Sequence, residues 1–246
     1  MHLTIVTGAS RGLGLALASQ LLVAGHRVLA ISRRAPELSA APGAELIAWT
    51  MDLAEPAPVA ARLEQWLGEQ ATATLASTTL INNAGVVSRL APLTAIDSAD
   101  LAQAIRVGLE APLLLTAAFL RATAAWTVPR KVLLISSGLG RRGMAGSASY
   151  CAAKAGLDNL ARAVALEEQA REHGARIVSL APGVIDTDMQ VQLRGADPAL
   201  FGERERFVAL KTGGLLDSPD AAAAKVLRCL ASPDFGTEPV SDVRGF

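Results

Sequence analysis

Short runs of β-branched and other apolar residues alternate along this chain with longer stretches whose hydrophobic positions recur at helical spacing. The runs at 3–7, 27–32, 45–50, 78–82, 131–136 and 176–181 are near-continuously hydrophobic, the pattern of strands covered on both faces. Between them, 12–24, 57–70, 98–125 and 149–173 are long enough to be crossover helices. This order predicts a doubly wound α/β fold, a parallel Rossmann-type sheet built from 1–246 as one domain. Right-handed crossovers put the first strand inside the sheet, so a ligand crevice is expected beyond the strands' carboxyl ends, where the order reverses.

The alternation stops after Pro182. Residues 186–216 mix charges with Gly195, Pro198 and a Gly213-Gly214 pair ahead of a last helix near 220–231, and such a segment suits a lid over a substrate. The Ala- and Pro-bearing stretch 33–43 reads as a surface connection, and no internal repeat is visible.

Composition removes several function classes. The 23 Lys and Arg residues balance 23 Asp and Glu, leaving no basic stripe to displace counter-ions, so no nucleic-acid partner is expected. Hydrophobic residues make up 51% and charged ones 19%, which excludes a disordered chain and suffices for a core without disulfide or metal. Cys151 and Cys229 stand far apart, and His2, His26 and His173 lack ligand-spaced partners, so no metal site is expected. The first strand leaves no room for a signal sequence, and the apolar stretch 111–120 falls short of the ~20 residues that span a bilayer. The expectation is a cytoplasmic protein without a membrane partner.

Candidate chemistry begins where the first strand runs into Gly8-Ala9-Ser10-Arg11-Gly12-Leu13-Gly14 and then a helix. Loop amides and a helix N-terminus there can hold a pyrophosphate. The spacing differs from G-x-G-x-x-G, but the demands are the same: a tight turn and close backbone approach. Taken alone, the run also fits an ordinary turn. The second strand ends in Ser32-Arg33-Arg34, where an NAD-specific site would carry a carboxylate for the ribose hydroxyls. With Arg11, these guanidiniums suit a 2′-phosphate, which favours NADP(H). Solvation of a loop is the other reading of Arg33 and Arg34, and Glu37 is the nearest acid.

Tyr150, the one tyrosine of the chain, stands four residues before Lys154, one of four lysines, and helical spacing stacks the two on one face. A cation about 4 Å from a phenol at an effective dielectric of ~20 contributes up to ~4 kcal/mol, about three pK units. On that estimate Tyr150 exchanges protons near neutral pH.

Thr7-Gly8-x3-Gly12-x-Gly14, Asn82-Asn83-Ala84-Gly85, Ser137, Tyr150-x3-Lys154 and Pro182-Gly183, in this order over residues 3 to 189, resemble the classical short-chain dehydrogenases/reductases. The resemblance implies that Tyr150 donates a proton to a substrate carbonyl, that Ser137 positions and polarises its oxygen, and that Lys154 binds the nicotinamide ribose and lowers the tyrosine's pKa. It gives Asp52 and Leu53 an adenine contact, Asn82, Asn83, Ala84 and Gly85 a place beside the cofactor, Pro182 and Gly183 further cofactor contacts, and Val184 and Thr187 its carboxamide end. The residues by themselves leave plainer readings open: Asn82 and Asn83 as partners of strand-end backbone groups, Thr187 as a helix cap, Pro182-Gly183 as a loop.

One departure stands out. Where the family carries an asparagine after the fourth strand, this chain has Val107-Gly108-Leu109. A glycine that loosens the helix would leave a backbone carbonyl open to water, and Gly108 is expected to do so. The departure also motivates a second reading, a non-catalytic NADP-binding sensor or scaffold on the same fold.

The run Pro182-Gly183-Val184-Ile185-Asp186-Thr187-Asp188-Met189-Gln190 and the tail Val240-Ser241-Asp242 are similar to the sepiapterin reductases and the bacterial benzil-type diketone reductases. That likeness makes Asp242 a candidate anchor for a pterin's amino groups, while a solvated acid at a strand end is its plainer reading. Aromatic residues are only 4% of the chain, with Trp126, Phe201, Phe207, Phe235 and Phe246 the candidates for stacking a ring. The expected substrate is therefore a small cyclic or aromatic ketone or diketone. Family counterparts of the helices at 98–125 and 149–173 pack between subunits, which implies a homodimer or homotetramer.

Overall fold

In a computed structural model that describes residues 1–245, seven parallel strands form one sheet in the order β3-β2-β1-β4-β5-β6-β7. They are β1 (His2–Thr7), β2 (Arg27–Ser32), β3 (Glu45–Thr50), β4 (Ser77–Asn82), β5 (Arg130–Ile135), β6 (Arg176–Ala181) and β7 (Val240–Asp242). The order reverses between β1 and β4, which are hydrogen-bonded neighbours. The doubly wound expectation stands, and the switch point is where the sequence placed it.

Alternation along β1 explains why the sheet carries helices on both faces. Leu3 and Ile5 face a core closed by α2 (Pro56–Gly68), α4 (Ala111–Ala122) and α5 (Ala148–Gln169). Val6 faces a second core with α1 (Gly12–Val23) and α8 (Pro219–Ala231). Successive side chains of a strand point to opposite faces, so a buried parallel strand needs apolar residues at both parities.

Most element bounds shift by only one or two residues, and three differences from the sequence reading are larger. The stretch 98–125 is not one regular helix: α3 (Ser98–Ile105) passes through a π-turn (Arg106–Glu110) into α4 and ends at Ala122. Helix α5 ends at Gln169, and residues up to Gly174 turn, the Gly174 amide bonding Arg171 O at 3.2 Å. β7 lies outside the six hydrophobic runs, because three half-buried residues carry no periodic signal, and it gives Asp242 the strand-end position of its plainer reading.

The 25-residue helical run Ser98–Ala122 is long and apolar enough to cross a membrane, but half of its apolar window is buried in the fold. After β6 come α6 (Asp188–Arg194) and α7 (Arg204–Thr212). Their Leu193 and Phe207 join Leu90, Met144 and the fully buried Phe201 in a third apolar cluster beside the carboxyl ends of the strands.

Candidate active site

A cleft of about 1200 Å³ opens at the carboxyl ends of the strands and runs from the β1–α1 loop to α6 and α7. At one end Gly8 adopts φ +67°, a conformation that favours glycine. A Cβ on Gly14 would lie 2.2 Å from Gly8 O and 2.5 Å from Asn83 Nδ2. The loop is therefore folded too tightly for any side chain there, and it leaves the N-terminus of α1 facing the cleft.

Asn83 ties that loop to β4. Its Nδ2 donates to Thr7 O at 2.9 Å, while Thr7 Oγ1 accepts from the amides of Asn83 and Ala84 at 2.9 and 3.0 Å. This is the plainer backbone-satisfying reading, yet Asn83, Ala84 and Gly85 also line the cleft. Asn82 does not join them, a correction to its expected place beside the cofactor: it is buried off the cleft and donates to Thr116 Oγ1 at 3.2 Å.

The β2 end divides the three arginines. Ser32 and Arg33 line the cleft and Arg34 does not; Ser32 Oγ donates to Arg34 O at 2.6 Å, which fixes the turn. Arg11 is exposed and paired with Asp188 at the start of α6, 2.6 Å away. Of these three, Arg33 lines the cleft with no side-chain partner among the described residues, Arg11 lines it while paired with Asp188, and Arg34 lies off it, a correction to the reading of three guanidiniums aimed together. Ser10, Leu13, Asp52 and Leu53 line the same end, with Asp52 Oδ1 accepting from Ala54 N at 2.9 Å.

At the other end stand Ser137, Tyr150 and Lys154. Ser137 follows β5 and its Oγ accepts from Leu139 N at 3.1 Å. Tyr150 and Lys154 share α5, and Lys154, only 4% exposed, donates from Nζ to Ile135 O at 2.7 Å. The ammonium lies 5.4 Å from the centre of the Tyr150 ring.

This geometry corrects the expected acidification. Burial pushes the Tyr150 phenol up to about 12, with a hydrogen bond from Ser137 opposing and Cys151 adding to the rise. Burial also lowers Lys154 to about 8, with the charge of Asp158 opposing. At neutral pH the phenol holds its proton and the lysine is mostly charged.

Pro182, Gly183, Val184 and Thr187 line the cleft after β6. Thr187 precedes α6 in an extended conformation, but its side chain makes no capping bond. Asp242 also reaches the cleft, though its carboxylate is occupied: Arg244 donates to both oxygens at 2.8 and 2.7 Å, and Arg141 lies 4.0 Å away. Those partners hold it below the usual carboxylate range, Arg244 most strongly.

Of the aromatic candidates among the described residues, only Phe207 lines the cleft; it stacks on Phe201 with ring centres 5.9 Å apart. Trp126 and Phe235 are core residues, and Phe246 lies outside the described residues. Sequence reasoning missed Leu139, Met144, Leu193 and Leu210, which form the apolar wall with Phe207. It also missed Arg141 and Asp158; the latter stands four residues after Lys154, a spacing that was available as a signal.

Gly108 sits in the π-turn, buried, where a Cβ would lie 3.1 Å from Ala153 Cβ. Its Ala111 amide bonds Arg106 O, the five-residue step that loosens a helix.

The chain is similar to known proteins along most of its length. A family model described as short chain dehydrogenase matches residues 2–197. A benzil reductase ((S)-benzoin forming) of Bacillus cereus is 35% identical over 96% of this chain and 96% of its own. The sepiapterin reductase of Meriones unguiculatus is 33% identical over 94% and 92%. A solved Agrobacterium tumefaciens protein with bound NADP is 27% identical, with TM-score 0.77 over 98% of this chain and 94% of that one.

Proposed function

Because the chain belongs to the short-chain dehydrogenase family and is an oxidoreductase acting on carbonyl or alcohol groups, we propose that it reduces a small aromatic or cyclic ketone or diketone with NADPH. The observation that carries this reading is a single cleft with a glycine loop at one end and Ser137, Tyr150 and Lys154 at the other. That span suits a dinucleotide whose phosphates meet the α1 N-terminus and whose reactive ring reaches the tyrosine.

The residues fit such a cofactor. A side chain at Gly14 would fill the phosphate cradle, and Arg33, with no acid at the β2 end, presents forked donors suited to a 2′-phosphate. When bound, NADPH supplies the hydride. Lys154, held by Ile135 O, is in place for a ribose hydroxyl. Ser137 aligns the substrate oxygen, and Tyr150, protonated at neutral pH, gives its proton to that oxygen as negative charge develops on it. Leu193, Phe207 and Leu210 keep water from the reacting atoms.

Within this class the wall favours an apolar diketone over a pterin. A pterin's amino groups would have to displace Arg244 from Asp242, while an apolar ring needs only the wall. The benzil reductase relative supports the same choice. Exposed Leu113 on α4 and Leu166 on α5 suit a homodimer or homotetramer, which sedimentation would test.

The test is NADPH and NADH consumption with benzil, phenylpropanedione, dihydropterins, quinones and acetoacetyl thioesters, repeated with Tyr150→Phe. Steady turnover of a diketone, lost in Tyr150→Phe while NADPH still binds, is the expected result. Cofactor binding without turnover of any carbonyl would leave the sensor or scaffold reading instead.

A further inference from the structure

Asp158 is a carboxylate 1% exposed, one helical turn beyond Lys154, and it takes no part in the chemistry above. Burying a charge this deeply is costly unless partners compensate it, so its partners identify its use. Ser136 Oγ and Ser179 Oγ both donate to Oδ1 at 2.7 Å. Arg141 Nε lies 3.5 Å from Oδ2, which makes no hydrogen bond. One carboxylate thus gathers the residue before Ser137, the middle of β6, and the turn after β5.

The backbone is shaped around the same group. A Cβ on Gly140 would lie 2.8 Å from Asp158 Oδ2 and 2.9 Å from Lys154 O, so the turn that follows Ser137 rests directly on this part of α5. Arg141 continues outward, donating to Ser241 O at 2.7 Å. Beyond it stands the Asp242–Arg244 pair. β6 presents neutral Ser179, the π-turn packs neutral Gly108 and Leu109 against α5, and Tyr150 flanks the lysine on its own helix.

We infer that Asp158 is a positioning residue for the reductase: through Ser136 and Ser179 it clamps the strand end bearing Ser137, and β6, onto the helix bearing Lys154. The inference rests on the proposed reductase reading. Its charge opposes the effect of burial on Lys154, whereas Arg141 partly neutralises that charge. Removing either partner should therefore move the lysine in opposite directions.

The test reads the lysine directly. With four lysines in the chain, ¹³C-labelled side chains are titrated by NMR in the cofactor-free protein and Lys154 is assigned by Lys154→Arg. The expected result is a Lys154 midpoint about one pH unit or more lower in Asp158→Asn, and higher in Arg141→Gln. In turnover, Asp158→Asn should lower kcat about tenfold or more with KM for NADPH little changed, and the alkaline limb of the pH profile should follow the midpoint. A midpoint that stays put or rises in Asp158→Asn overturns the inference. Should that variant not fold, Arg141→Gln decides alone, an unmoved or lowered midpoint being the overturning result. The titration needs no turnover, so a protein that reduces no carbonyl counts against the reductase reading and not against these midpoints.

Discussion

The ammonium of Lys154 lies over the face of the Tyr150 ring, 5.4 Å from its centre, and donates to the carbonyl of Ile135. It therefore acts on the phenol through the ring and not by touching its oxygen. Burial dominates the phenol and holds Tyr150 at about 12 against the hydrogen bond from Ser137, so it remains a proton donor at neutral pH.

The lysine should be visible in stability. Folding lowers its pKa from 10.5 to about 8, so between those values the unfolded chain holds the extra proton and stability rises with pH. Tyr150, raised from 10.0 to about 12, has the opposite sign, and its contribution is lost as pH rises between those values. Lys154→Met removes only the first effect. Urea unfolding at pH 7 and pH 10 should show wild type gaining roughly 2–3 kcal/mol on this variant over that interval, and a constant difference would contradict the assignment.

Arg33 and Arg34 should not be equivalent. Losing a charge-assisted bond costs about 1.5–3 kcal/mol, so Arg33→Ala should raise KM for NADPH by roughly 10–100-fold and leave NADH nearly unaffected. Arg34→Ala should change neither, because Arg34 does not line the cleft. Equal effects of the two substitutions on NADPH would refute the placement.

Arg11 and Asp188 join the glycine loop to the start of α6 at 2.6 Å, both about two-thirds exposed. Exposed pairs of this kind contribute under about 1 kcal/mol, so the connection is weak. Asp188→Asn should free Arg11 for the cofactor phosphates and tighten NADPH binding up to about fivefold, an effect that shrinks in high salt. Fluorescence titration at two ionic strengths checks it.

Gly108 tests packing against chemistry. A side chain there meets Ala153 at 3.1 Å, so Gly108→Ala should cost about 1–3 kcal/mol, and Gly108→Ala with Ala153→Gly should recover most of it. Thermal unfolding of the four variants in the cycle measures this. Gly108→Asn should for the same reason be destabilised, and an increase in its turnover would mean that the missing amide matters more than the contact.

The sequence by itself determined the parallel doubly wound sheet, because strands buried on both faces must be apolar throughout, as Leu3, Ile5 and Val6 are. It also made the glycine loop and the Tyr150–Lys154 spacing legible, since both are local: a turn that admits no side chain, and two residues one helical turn apart. What it could not carry was any relation between distant segments. The pairing of Arg11 with Asp188, the approach of Arg141 to Asp242, and the joining of Ser136 and Ser179 on Asp158 arise only when the glycine loop, α5, α6, β5, β6 and β7 meet. The pKa order of Tyr150 and Lys154 was decided there too, because desolvation depends on everything that surrounds a group, and helical spacing reports only its neighbours along the chain.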